Sequence, residues 1–143
     1  MEIIKFYRVT DPYGCFSNFS RHGFNLDERY WRTSEHYFQA NKFIDNKLKE
    51  QIRNAPTPME AAQMGRDRLN PLRSDWEDEK DDIMFKAVLS KFQTNGDIKK
   101  IWLSTGNAII VEDTKSDYYW GCGSNRTGKN MLGKILMNVR ELL

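Results

Sequence analysis

The chain has little cysteine, little histidine and almost no net charge for its 143 residues. Cys15 and Cys122 stand far apart, and His22 and His36 show no ligand spacing. A four-ligand zinc site draws on residues of these kinds at short intervals, so no metal is expected. Two cysteines with no signal-length apolar run at the N-terminus fit reduced thiols in a cytoplasmic protein. No stretch nears the ~20 apolar residues of a membrane span, so no membrane partner is expected. Lys and Arg total 22 against 20 Asp and Glu, which leaves a formal charge of +2. That is too balanced for bulk electrostatic binding to nucleic acid, although a local basic pocket for phosphate stays open. There is also no repeat, low-complexity tract or linker, so residues 1–143 are expected to form a single domain. Nothing in the pattern speaks to oligomeric state.

What is present is aromatic and helical. Phe, Trp and Tyr make up 13% of the chain, enough for a core and for a stacking pocket. Residues 3–8 read as a strand, and Asp11-Pro12-Tyr13-Gly14 is turn chemistry. Arg29-Tyr30-Trp31-Arg32 reads as a second short strand ahead of a Thr33 or Ser34 cap. Thr57-Pro58-Met59-Glu60 is a capping box with proline at the first helical position, and its helix should run to about Leu69. Ser74-Asp75-Trp76-Glu77 opens a longer helix that Asn95-Gly96 stops. A shorter helix carries Ile98, Ile101 and Trp102, residues 108–112 read as a strand, and a last helix begins near Gly128. The fold class is therefore α+β, mostly helical with a few short strands.

The most informative stretch is Thr33 to Phe43, which reads as one helix whose core-spaced face extends to Leu48. Residues seven apart differ by about 20° around a helix, so Glu35 and Lys42 share a face with Gln39 beside them. Tyr37, Ala40, Ile44 and Leu48 line the opposite, core-spaced face. Two readings fit. The polar stripe is a solvated face with Glu35 at the positive helix end, or a carboxylate and an amine held between Phe38 and Phe43 do chemistry on a sugar or base.

Three further segments carry candidates. Gly123 to Asn130 matches Gly-x-x-x-x-Gly-Lys, but Asn130 stands where a P-loop needs Ser or Thr, and no large parallel sheet follows. What survives is a glycine-rich turn into a helix start, either a plain loop or an anion site. Around Ser116-Asp117-Tyr118-Tyr119-Trp120-Gly121, Asp117 can act on a ligand stacked on Trp120, with Gly121 permitting close approach. Alternatively the segment is a core aromatic cluster beside an Asp-built turn. Asn18, between Phe16 and Phe19, can read an amide or hydroxyl, or order its own turn.

Taken in order, these segments resemble the NADAR family, also called YbiA-like. The carriers are Gly14–Phe19, Trp31–Ala40 with Lys42-Phe43, Ala62–Arg66, Pro71–Trp76, Thr105-Gly106, Ile110–Glu112, Asp117 with Trp120-Gly121, and Gly128–Lys134. The match runs nearly end to end. One departure is Cys122 to Thr127, where the family usually has an acidic, glycine-rich loop; a carboxylate is lost and Arg126 gained.

The resemblance implies the YbiA-like fold and an N-glycosidase that cleaves a ribosyl C1′–N bond, with no cofactor. One branch acts on phosphoribosylamino-pyrimidine intermediates of riboflavin biosynthesis, and another removes ADP-ribose from guanine bases. The partner is then a small ribosyl or phosphoribosyl substrate, or an ADP-ribosylated guanine in nucleic acid. By the same resemblance Glu35, Lys42, Asp117 and Trp120 lie in the active site, with Asn18 and Gly121 as ligand contacts. Such a cleavage needs an acid near the leaving nitrogen and a carboxylate near C1′, which Glu35 and Asp117 would supply. Lys42 would stabilise charge, bind phosphate or form a Schiff base. Arg8 or the start of the last helix, at Gly128 to Asn130, would hold phosphate. The competing class is a non-catalytic module for ADP-ribose or a nucleotide, which would not need Glu35 and Lys42 together.

Overall fold

A computed structural model describes residues 2–143. In chain order the elements are β1 (Ile3–Phe6), β2 (Phe24–Leu26), β3 (Arg29–Trp31), α1 (Ser34–Ala40), α2 (Asn46–Arg53), α3 (Pro58–Gly65), α4 (Trp76–Thr94), α5 (Gly96–Ser104), β4 (Ile109–Glu112) and α6 (Met131–Leu142), with a 3₁₀ turn at Gly14–Phe16. The chain divides into two compact units. One comprises the residues up to Ser20 with Asn95–Leu143, and the other is Arg21–Thr94.

In the first unit β1 lies parallel to β4, from Ile3 opposite Ile109 to Phe6 opposite Glu112. Alternation along β1 buries Ile4 and Phe6 and leaves Ile3 and Lys5 outside, as a two-residue period requires. The apolar face of α6 (Leu132, Leu136, Val139) is fully buried and packs on β4. Trp102 of α5 is fully buried too, and its indole N–H donates to the Leu136 carbonyl at 3.1 Å. Burial of side chains this size contributes about 2–3 kcal/mol each. Arg140 fastens α6 to the approach of β4 through Thr105 Oγ1 and the Ala108 carbonyl, at 2.7 and 2.9 Å.

In the second unit β2 and β3 form an antiparallel hairpin, Phe24 opposite Trp31. Its two-residue turn, Asp27-Glu28, has both φ angles positive (55° and 64°). Hairpins of this tightness need that backbone, and neither residue is a glycine. The Tyr37 hydroxyl holds the turn by donating to Asp27 Oδ2 at 2.7 Å. Burial, then this hydrogen bond, raises the phenol pKa well above its ordinary value.

Helix α1 lies at the middle of this unit, against α2, α3, α4 and β3. Thr33 caps it by accepting the His36 N–H at 3.1 Å. Every residue of α1 is buried, so it has no solvated face. It is also shorter than the sequence suggests. Asn41 and Lys42 leave it in a tight turn, Lys42 N–H to Gln39 O at 3.3 Å, and Asp45 caps a new helix by accepting from Lys47 N–H at 3.0 Å. Ile44 is accordingly 70% exposed instead of buried. Other bounds differ from the expectation: α3 stops at Gly65, β1 ends at Phe6, β3 ends at Trp31, β4 begins at Ile109, and α6 begins at Met131.

Candidate active site

Glu35, Gln39 and Lys42 come from one short segment. Glu35 sits in the first turn of α1 and is only 7% exposed, and Gln39, one turn on, is 3% exposed. The Gln39 amide Nε2 donates to Glu35 Oε2 at 2.7 Å. A buried carboxylate is costly unless donors face it, and this one is met by a side-chain amide. Lys42 is carried by the turn after α1. Its Nζ stands 5.5 Å from the Phe38 ring centroid, within the range of a cation–π contact. Burial pulls the Lys42 pKa below its ordinary value, the Glu35 charge pushes it back up, and the Arg66 charge lowers it further. The charges of Glu35 and of the exposed Arg66 thus both act on the Lys42 amine. A desolvated amine with a lowered pKa is a better nucleophile and base at neutral pH than an ordinary lysine.

His36, between Glu35 and Tyr37, does structural work. Its Nε2 is 3.0 Å from the Ala55 carbonyl and its Nδ1 is 2.7 Å from Thr33 Oγ1. Burial first, with Arg32 adding to it, lowers the ring's pKa against the opposing pull of the Ala55 carbonyl. The neutral ring, protonated on Nε2, satisfies both partners. A groove of about 460 Å³ in the same unit runs between Phe43–Leu48 and Asn70–Ser74; it is not lined by Glu35, Gln39 or Lys42.

The other candidates belong to the first unit, and most of their polar groups build it. Asp117 Oδ1 accepts from the Tyr119 and Trp120 N–H groups at 2.9 and 2.8 Å. This is an Asp-built turn that fixes Trp120, whose half-buried ring meets Tyr119 edge-on at 4.9 Å. Gly121 is needed because a Cβ there would come 2.2 Å from Thr114 Oγ1 and 2.9 Å from the Glu112 carbonyl. Asn130, at φ 52°, turns its amide onto β4, donating to Ile110 O at 2.8 Å and accepting from Glu112 N at 3.0 Å.

The start of α6 differs from an open anion site. The N–H groups of Gly128 to Leu132 donate in turn to the carbonyls of Cys122, Tyr118, Gly121, Tyr119 and Trp120, at 2.8–3.0 Å. The 118–122 loop thus occupies the donors that a phosphate would want. Arg126, at φ 63°, lies in the exposed part of this loop. Arg8 is exposed, with its backbone N–H on Asp11 Oδ2 at 2.8 Å. Asn18 is half-buried in the loop after the 3₁₀ turn, and the neighbouring Ser17 Oγ accepts the Phe19 N–H at 3.1 Å.

Reading the sequence did not single out Arg66 or Gly65. Arg66 follows α3, and only folding brings its charge to bear on Lys42. Gly65 is buried against Gln39. The one signal for both was their place in the Ala62–Arg66 segment.

Fold and site together define a small α+β protein with a buried carboxylate–amide pair and a depressed lysine. Residues 5–143 match the NADAR domain, and the chain belongs to the NADAR family. It is 50% identical to N-glycosidase Npun_R5314 of Nostoc punctiforme, across 96% of this chain and 90% of that one. It is 49% identical to N-glycosidase YbiA of Escherichia coli, across 99% of this chain and 88% of that one. The NMR structure of the E. coli protein YbiA is similar throughout, with a TM-score of 0.91 and 48% identity over 99% of this chain and 84% of that one. The chloroplastic riboflavin biosynthesis protein PYRR of Zea mays is 39% identical over 97% of this chain, which spans 25% of that longer protein.

Proposed function

We propose that this chain is an N-glycosidase that hydrolyses the ribosyl C1′–N bond of phosphoribosylamino-pyrimidine intermediates of riboflavin biosynthesis. The observation that carries this reading is the buried Glu35–Gln39 pair, with the Glu35 charge acting on a Lys42 amine of lowered pKa, in a chain half identical to proteins named N-glycosidases.

Breaking the bond builds positive charge at C1′ and negative charge on the departing nitrogen. Glu35, bonded to Gln39, would handle the proton or stabilise C1′. Asp117 enters as the second carboxylate. Its Oδ1 is pinned by two backbone N–H groups, which leaves its other oxygen for substrate. Trp120 stacks on the base, and Asn18 reads a polar group of the ligand. Lys42 and Arg66 supply positive charge for the phosphate, and the lowered pKa of Lys42 also suits attack on a ring-opened C1′, where the amine displaces the base nitrogen, which leaves protonated, to form an imine that water then hydrolyses.

Liquid chromatography with mass spectrometry tests the substrate assignment. Purified protein incubated with 5-phosphoribosylamino-pyrimidine should release ribose 5-phosphate and free base, and should leave ADP-ribosylated guanosine intact. Release of ADP-ribose from the guanosine substrate alone would move the protein to the other branch. Tight binding of both with cleavage of neither would make it a binding module.

A further inference from the structure

Gly65 is the last residue of α3 and is buried. A helix-terminal glycine usually earns its place by adopting a positive φ. Gly65 is not among the residues with positive φ, so that explanation does not apply. What the position shows is close approach. A Cβ built there would lie 2.0 Å from Gln39 Oε1, 2.8 Å from Cδ and 2.9 Å from Cβ. Three contacts this short, one of them at the root of the side chain, cannot be relieved by rotating the amide tip. The whole Gln39 side chain would have to move.

The amide that would be displaced is the one that donates to Glu35 Oε2. Its other end, Oε1, is buried with no hydrogen-bond partner. Nothing polar therefore steers the amide from that side, and the bare backbone of Gly65 is the wall against which it rests. With its nitrogen donating to the Glu35 carboxylate, the amide turns its oxygen away, and only a glycine leaves room for the oxygen there. Helix propensity does not account for it either, because Gly is a poorer helix former than Ala.

We infer that Gly65 is a positioning residue for Glu35, acting through Gln39: the missing side chain on α3 lets the Gln39 amide lie where it holds the Glu35 carboxylate in its working orientation. The inference rests on the glycosidase reading for its catalytic consequence, but not for its geometry.

The test is a double-mutant cycle of Gly65→Ala and Gln39→Ala, with the Gln39 side-chain amide followed by ¹⁵N-correlated NMR in the Gln39-containing proteins. In wild type the Gln39 NH₂ signal should lie away from free amides and should move in Glu35→Gln. In Gly65→Ala it should shift toward the free-amide position, and base release should slow about tenfold in kcat with KM within about twofold. Gly65→Ala should have no further effect on kcat once Gln39 is already alanine. An unmoved Gln39 signal would overturn the inference, as would an equal loss of kcat in both backgrounds. If Gly65→Ala alone does not fold, the double variant decides: recovered folding supports the clash with Gln39, and continued failure to fold overturns it. If wild type cleaves neither ribosyl substrate, the glycosidase reading falls, and the NMR result still decides whether Gly65 positions the amide.

Discussion

The α1 segment and the 117–130 loop hold the same kinds of residue and use them differently. In α1, Glu35 and Gln39 are bonded side chain to side chain inside a helix whose every residue is buried. In the loop, Asp117 accepts main-chain N–H groups, Asn130 clamps β4, and the helix-start N–H groups are taken by loop carbonyls. Polar groups that satisfy backbone are architecture first. A buried carboxylate held by an amide and set beside a desolvated amine stabilises little on its own, and reactivity is the better account of it. Substitutions of Glu35, Gln39 and Lys42 should therefore strike activity ahead of stability, and the reverse should hold in much of the loop.

The sharpest way to break this contrast is Lys42→Met. It removes a partly buried charge, so the melting temperature should hold or rise, while base release should fall by at least about a hundredfold. Borohydride added during turnover should leave a ribosyl adduct on Lys42 in wild type if an imine forms. Persistent absence of the adduct would confine the amine to binding charge.

Asp117→Asn separates the two roles of a loop residue. The asparagine oxygen can still accept the Tyr119 and Trp120 N–H groups, so the melting curve should match wild type. Loss of the carboxylate charge should slow base release by about a hundredfold. Unchanged turnover would leave Asp117 as a turn-builder alone.

Asn130→Ala should show the opposite profile. It orphans the Ile110 carbonyl and the Glu112 N–H and puts alanine at φ 52°. Together these should cost about 3 kcal/mol and lower Tm by about 10 °C. The turnover of the folded fraction should change little in comparison. A large drop in kcat at unchanged Tm would instead make Asn130 a ligand contact.

The smallest effect concerns His36. Its pKa is lowered in the folded protein, chiefly by burial, so the unfolded chain binds a proton that the folded one refuses. Stability is then full above the unfolded value near pH 6.5 and falls as pH drops below it, by at most about 1.4 kcal/mol per pH unit. Melting temperature measured from pH 7.5 to 5.5 should decline, and the decline should flatten in His36→Gln. Equal slopes in the two proteins would place the sensitivity elsewhere.

Much of this was legible in the residues. The cap at Thr57, a cap at Thr33 or Ser34 and the extent of α5 follow from side-chain chemistry and spacing, and the structure has them, with Thr33 as the first cap. The end of α1 was hidden because Tyr37, Ala40, Ile44 and Leu48 keep a helical period across a break. The break comes from the tight Asn41-Lys42 turn and the Asp45 cap. β2 escaped notice because its turn, Asp27-Glu28, carries no glycine or asparagine; its geometry depends on Tyr37, ten residues away. The parallel pairing of β1 with β4 joins Ile3 to Ile109, and no local pattern encodes that. At the site, Glu35, Gln39 and Lys42 could be grouped from sequence. Arg66 and Gly65 could not, because their relation to Lys42 and Gln39 exists only once α3 packs on α1.

The most direct measurement is base release by Glu35→Gln on the phosphoribosylamino-pyrimidine substrate, read beside its melting curve. The amide keeps the shape of Glu35 and removes its charge and its proton chemistry. Loss of turnover by three orders of magnitude or more, with Tm held or raised, is expected. Turnover near the wild-type rate would contradict the assignment of the chemistry to the buried α1 carboxylate.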